Sequence, residues 1–102
     1  YDGKVGATRE EAMALMQAVG HDAGVETMRA WADWLRTHDK GTGKLGSVGW
    51  CFGGFWSLET GIEAGTDVTV VYYGRVDQPV DRLKALKGPV MGHFAGLDQY
   101  ID

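Results

Sequence analysis

The chain has 102 residues, a net charge of −4 and 44% apolar residues, which bounds it at one domain burying roughly two-thirds of its unfolded surface. An acidic balance without a basic cluster argues against nucleic acid or anionic membranes as partners. No apolar run approaches the ~20 residues needed to span a bilayer, and no charged start with an apolar core marks a signal peptide. With 16 glycines, two prolines and one cysteine, the composition describes a soluble, packed, turn-rich domain without an internal disulfide, as fits a reducing cytoplasm.

Tyr1 to Gly6 is polar and glycine-rich and reads as a loop. Thr8-Arg9-Glu10-Glu11 then forms a capping box opening a helix expected over 9–19, with Ala12, Leu15, Met16 and Val19 on one face and Gly20 closing it. A second helix is expected over 23–37, where Val25, Met28, Trp31, Ala32 and Leu35 keep the 3.6-residue period until the polar turn His38 to Gly43. Leu45 to Gly49 reads as a short buried strand. Phe55, Leu58 and Ile62 recur at helical spacing directly after it, which predicts a helix over 52–63. Gly65-Thr66 turns the chain into a β-branched and aromatic run, predicting a strand over 68–73 that ends at Gly74. Pro79 opens a short helix over 79–86 carrying Val80, Leu83 and Leu86, and Gly88-Pro89 breaks it. A third strand is expected over 89–94, with Gly96-Leu97-Asp98 just past its carboxyl end. Strands alternating with helices predict an α/β fold of about three parallel strands, binding ligands beyond the strands' carboxyl ends. Without an internal repeat or a boundary signal, residues 1–102 read as one domain.

The only cysteine falls at the junction of the first strand and its helix, inside Gly49-Trp50-Cys51-Phe52-Gly53-Gly54. A Gly-x-nucleophile-x-Gly turn strains the middle residue and uses the flanking glycines, Gly49 and Gly53, to let strand and helix pass closely. A thiol at a helix N-terminus faces unpaired N–H groups and the helix dipole, which favour its thiolate. Cys51 is therefore predicted to be reactive. The three histidines are scattered and make no metal-ligand pattern with one cysteine, so no metal is expected.

That six-residue motif, the Tyr72-Tyr73-Gly74 strand end and the Pro89-to-Asp98 strand and turn resemble the dienelactone hydrolase (carboxymethylenebutenolidase) family of the α/β-hydrolase fold. Tyr1-Asp2-Gly3-Lys4 and the capping box are similar too, so the resemblance covers nearly the whole chain. It implies a carboxylic ester hydrolase that cleaves a lactone or ester through a thioester acyl-enzyme without a cofactor. Under that resemblance Cys51 is the nucleophile, Asp98 orients the catalytic histidine, and the Phe52 backbone N–H is an oxyanion donor. Arg9 stands where lactone-cleaving members hold the substrate carboxylate, and Trp50, Tyr72 and Tyr73 line the pocket, with Gly54 among the elbow glycines. Read without the family, Asp98 serves equally as a turn residue, Arg9 as a solvated charge, and the tryptophans and strand tyrosines as core.

In this fold the triad order is nucleophile, acid, histidine, and only Gln99, Tyr100, Ile101 and Asp102 follow Asp98. His21 and His38 precede the elbow, and His93 sits in the strand before Asp98. The chain, which begins at Tyr1 rather than methionine, thus reads as a central fragment lacking the early strands and the catalytic histidine, weakly active or inactive alone. The rival reading is a non-catalytic module that self-associates, as a homodimer or larger, through an exposed strand edge near Leu45–Gly49.

Overall fold

A computed structural model describes residues 1–101, so the last position of the expected 1–102 domain lies outside the described residues. The elements in order are α1 (Arg9–Gln17), α2 (His21–Thr37), β1 (Gly46–Trp50), α3 (Phe52–Ala64), β2 (Val68–Tyr72), α4 (Val80–Leu83) and β3 (Val90–His93). The strands are all parallel, in the order β1-β2-β3, with Val48 opposite Val70 and Trp50 opposite Tyr72, then Val70 opposite Met91 and Tyr72 opposite His93. This is the expected α/β arrangement. Among the described residues, no helix is long and apolar enough to cross a membrane.

The core lies between the sheet and α3. Leu58, Ile62 and Val71 form its centre, with Leu83 and Leu86 packed against them. Because strand side chains alternate between faces, Ser47, Gly49, Thr69 and Val71 meet α3. Small residues and hydroxyls bring the layers close: Ser57 Oγ donates to Val70 O at 2.9 Å, and Ser47 Oγ donates to Ser57 O at 3.0 Å. The opposite face of the sheet is open among the described residues, leaving Val48 56% and Trp50 53% exposed.

Several boundaries differ from expectation. Helix α1 stops at Gln17 rather than 19, with Ala18 as its C-cap, and Gly20 does not close it but is the extended N-cap of α2. The capping box forms, Thr8 Oγ1 accepting from Glu11 N at 3.2 Å, yet α1 buries no residue, so its apolar stripe stays partly exposed. In α2 only Val25 and Ala32 are buried, while Trp31 and Leu35 are exposed. Strand β1 runs one residue later than expected because Trp50 still pairs with Tyr72. Strand β2 ends before Tyr73, whose φ of 39° leaves the extended region. Helix α4 is one turn, Val80–Leu83, and the chain reaches Leu86 through a tighter turn in which Leu86 N–H donates to Leu83 O at 3.1 Å.

Candidate active site

Cys51 is the N-cap of α3 and has φ 53° and ψ −119°, a backbone conformation that costs an L-residue about 1–3 kcal/mol and persists only where its surroundings hold it. They hold it from both sides. Cys51 N–H donates to Tyr72 O at 3.0 Å, while Cys51 O accepts from Gly54 N at 2.9 Å and from Phe55 N at 3.2 Å. The side chain itself is exposed. Those two acceptances leave the Phe52 and Gly53 N–H groups as the first-turn donors with no carbonyl one turn earlier to bond. A thiol thus stands beside backbone donors at a helix start, the arrangement that suits attack on a carbonyl and capture of its developing oxyanion.

The glycines around this turn do unequal work. A Cβ on Gly49 would lie 1.9 Å from Gly53 O, so β1 and α3 can approach only because residue 49 has no side chain. Gly53, expected to share that role, meets nothing within 4 Å of an added Cβ. Its backbone, not its missing side chain, is what Gly49 accommodates. The second close approach is between Gly54 and Gly74, where a Cβ on Gly74 would lie 2.5 Å from Gly54 C.

The three strands end side by side, which brings Cys51, Tyr73 and the turn after β3 to the same edge of the sheet. Tyr73 N–H donates to His93 O at 2.8 Å, tying two of these ends together. Asp98 sits in the turn with its Oδ1 accepting from Tyr100 N at 2.8 Å and Ile101 N at 3.2 Å. Among the described residues, no hydrogen bond joins Asp98 to Cys51 or to a histidine. His21 opens α2, His38 is its C-cap, and His93 ends β3. Trp50 and Tyr72 lie on the open sheet face, stacked at 5.3 Å and 11°, and His93 continues the stack on Tyr72 at 4.4 Å and 8°. Tyr73 is exposed beside them. Arg9 is exposed at the first position of α1 and has no ion-pair partner among the described residues. A cavity of about 630 Å³ opens on the other side of the elbow, with Phe52, Trp56, Leu15, Val19, Gly24 and Met28 among its walls.

One charged cluster escaped the sequence reading. Glu59, 1% exposed within α3, accepts at Oε1 from Gln78 Nε2 (2.8 Å) and Arg82 Nη1 (3.0 Å), and at Oε2 from Arg82 Nη2 (3.0 Å). His21 Nε2 lies 2.6 Å from the same Oε2. Burial alone would push the Glu59 carboxyl up, but hydrogen bonds from Arg82 and His21 outweigh it and hold the group below the usual carboxylate range. Arg82 is held more firmly protonated by Glu59 and Glu63. A signal did exist: Glu59 and Glu63 are like charges four apart on a mostly apolar helix, which repel unless a cation bridges them. Arg82 does so, donating to Glu63 Oε1 at 2.7 Å.

Comparison with known proteins gives the same direction. The sequence profile described as "Dienelactone hydrolase family" matches residues 1–102. A provisionally named carboxymethylenebutenolidase of Saccharolobus solfataricus is 40% identical over 63 residues, covering 62% of this chain and 24% of that protein. Carboxymethylenebutenolidase 1 of Cupriavidus pinatubonensis is 28% identical over 101 residues, covering 98% of this chain and 43% of that protein. The carboxymethylenebutenolidase of Pseudomonas putida is 31% identical over 94 residues, covering 91% of this chain and 40% of that protein. The chain thus spans less than half the length of each of these curated relatives.

Proposed function

The chain belongs to the dienelactone hydrolase family, and we propose that it carries the nucleophilic half of a lactone or ester hydrolase, within one partial α/β-hydrolase domain over 1–102. The observation that carries this reading is the backbone of Cys51, held at positive φ by three hydrogen bonds with its thiol exposed. The Cys51 thiolate attacks the substrate carbonyl carbon, the C–S bond forms, and the carbonyl π electrons move onto oxygen. The Phe52 N–H donates to that oxyanion. Collapse breaks the C–O bond, releases the alkoxide and leaves a thioester on Cys51. No cofactor is needed for these steps, and a persistent thiol fits the cytoplasm.

Substrate contacts fall to Arg9, whose exposed guanidinium suits a substrate carboxylate, and to Trp50, Tyr72 and Tyr73 at the strand ends. Asp98, already oriented by the Tyr100 and Ile101 N–H groups, takes the role of orienting a histidine. That histidine is not among residues 99–102, which are Gln, Tyr, Ile and Asp. Proton transfer by such a base contributes about 10² to 10⁴ in rate, so these 102 residues acylate without efficient turnover. With p-nitrophenyl acetate the expected result is a burst of at most one equivalent of p-nitrophenolate, abolished by Cys51→Ala. Product release unaffected by that substitution overturns the assignment of Cys51; sustained Cys51-dependent turnover overturns the incompleteness.

A second reading rests on the position of β1 at the edge of the sheet with Val48 and Trp50 exposed. An edge strand with free backbone groups pairs readily with another chain, which supports a homodimer or larger assembly without catalysis. A strictly monomeric species in sedimentation at micromolar concentration contradicts it.

A further inference from the structure

We propose that the His21–Glu59–Arg82 cluster is a pH-responsive latch, which seats the first turns of α2 on α3 and sets the width of the cavity beside Phe52. The seat is a flat one. A Cβ on Gly24 would lie 2.0 Å from the Trp56 indole, so α2 rests its backbone directly on that ring. His21 stacks on the same indole, with centroids 6.0 Å apart and planes at 23°. Gly20 at the N-cap and Ala23 and Gly24 in the first turn of α2 line the cavity together with Phe52 and Trp56 of α3. Any lift of the first turn of α2 widens that space.

What holds the turn down is a carboxylate that must accept a proton-bearing partner. Glu59 is nearly inaccessible and Arg82 engages both its oxygens, so it stays ionised and acts only as an acceptor. His21 Nε2, at 2.6 Å, therefore carries a hydrogen. Its Nδ1 is 3.6 Å from the Asp22 carboxylate on the same helix. Both ring nitrogens thus face acids, which favours the doubly protonated, charged imidazole.

The charges around His21 lead to the same state. Asp22 and Glu26 from α2 and Glu59 and Glu63 from α3 are the acids, whereas the cations are Arg82 from α4 and Arg29, which pairs with Glu63 at 2.7 Å. The acids outnumber the cations, and a proton on His21 reduces that excess. Hydrogen bonding to Glu59 accordingly raises the His21 value above 6.5, against the lowering by partial burial. A raised value in the folded chain means a stabilisation fully present below about 6.5 and lost as pH rises through the raised midpoint. Above it the neutral Nε2–H tautomer keeps a hydrogen bond to the ionised Glu59 carboxylate but loses the attraction between two opposite charges. His21 is 48% exposed, so the effect is confined to the turn it anchors rather than to the whole fold.

The test is an NMR titration of the His21 ring combined with amide exchange at Gly24, whose N–H bonds Gly20 O at 3.0 Å and closes the first turn of α2. We expect a His21 midpoint above 6.5 and a protection factor at Gly24, corrected for intrinsic exchange, that falls between pH 5.5 and 8. The fall approaches tenfold for each unit by which the midpoint is raised. His21→Gln keeps an amide donor and should show low protection at Gly24 with no pH dependence, and Glu59→Gln, where it folds, should return the His21 midpoint toward 6.5. A His21 midpoint at or below 6.5, or Gly24 protection that is the same at both pH values in the parent chain, overturns the latch. Neither readout depends on hydrolysis.

Discussion

Gly49→Ala is the substitution that the elbow should tolerate least, and its cost follows from the geometry. The new Cβ would lie 1.9 Å from Gly53 O, 2.3 Å from Gly53 C and 2.9 Å from Gly54 N. All three are backbone atoms of α3, so no change of rotamer relieves them. Ordinary contact requires separations near 3.4 Å or more, and β1 must therefore retreat from α3 by roughly 1.5 Å, opening the packing around Leu58 and Val71. Overpacking costs about 1–3 kcal/mol when side chains can yield; here the backbone has to yield, which puts the expected loss at about 3 kcal/mol or more. For a domain of this size that lowers Tm by at least about 12 °C. Gly53→Ala is the matched control, since its Cβ meets nothing within 4 Å and replacing a helical glycine by alanine gains up to about 1 kcal/mol. Thermal unfolding followed by circular dichroism separates them: a large drop for Gly49→Ala, no loss for Gly53→Ala. Equal losses, or a Gly49→Ala variant within about 2 °C of the parent, would refute the close-approach argument.

Glu59→Ala removes the acceptor shared by His21, Gln78 and Arg82; because Arg82 keeps partial access to water and Glu63, the loss should be about 3 kcal/mol, at the low end for a broken buried pair, read from the urea midpoint. Thr8→Ala should loosen α1 by about 1 kcal/mol and speed exchange of the Glu11 amide, yet leave the global midpoint unmoved, since α1 buries no residue. Asp67 accepts from Leu45 N at 2.8 Å, and that backbone hydrogen bond, followed by Lys44, lowers its carboxyl below 3.8. Its stabilisation is present above 3.8 and lost as pH falls through the lowered value, so the stability gap between parent and Asp67→Asn should shrink in that acid range; a gap independent of pH contradicts it.

Much of the fold was legible because local chemistry and tertiary packing agree there. Glycine spacing around Cys51 marks a place where strand and helix collide unless a side chain is absent, and Val68 to Tyr72 is the kind of run that a half-buried strand requires. Legibility failed where a partner decides the outcome. The helical period predicts burial of Trp31 and Leu35 with Val25 and Ala32, but only the latter two are covered, and Trp31 stays 57% and Leu35 44% exposed among the described residues. Gly20 has the chemistry of a stop, and only the start of α2 at His21 makes it an N-cap instead. The Glu59 cluster joins residues 19, 23 and 38 positions apart, and no periodicity encodes such distances. The sequence names Cys51 and Asp98 as candidates; it does not reveal that Asp98 has already committed an oxygen to its own turn.

Trapping the acyl adduct tests the central claim most directly. The chain is mixed with p-nitrophenyl acetate, quenched in acid to preserve a thioester, digested and mapped by tandem mass spectrometry. A single acetyl group on Cys51, formed faster than on free cysteine at the same pH and lost in Cys51→Ala, is the predicted result. Acetylation only on lysines, or on Cys51 no faster than on free cysteine, would contradict it.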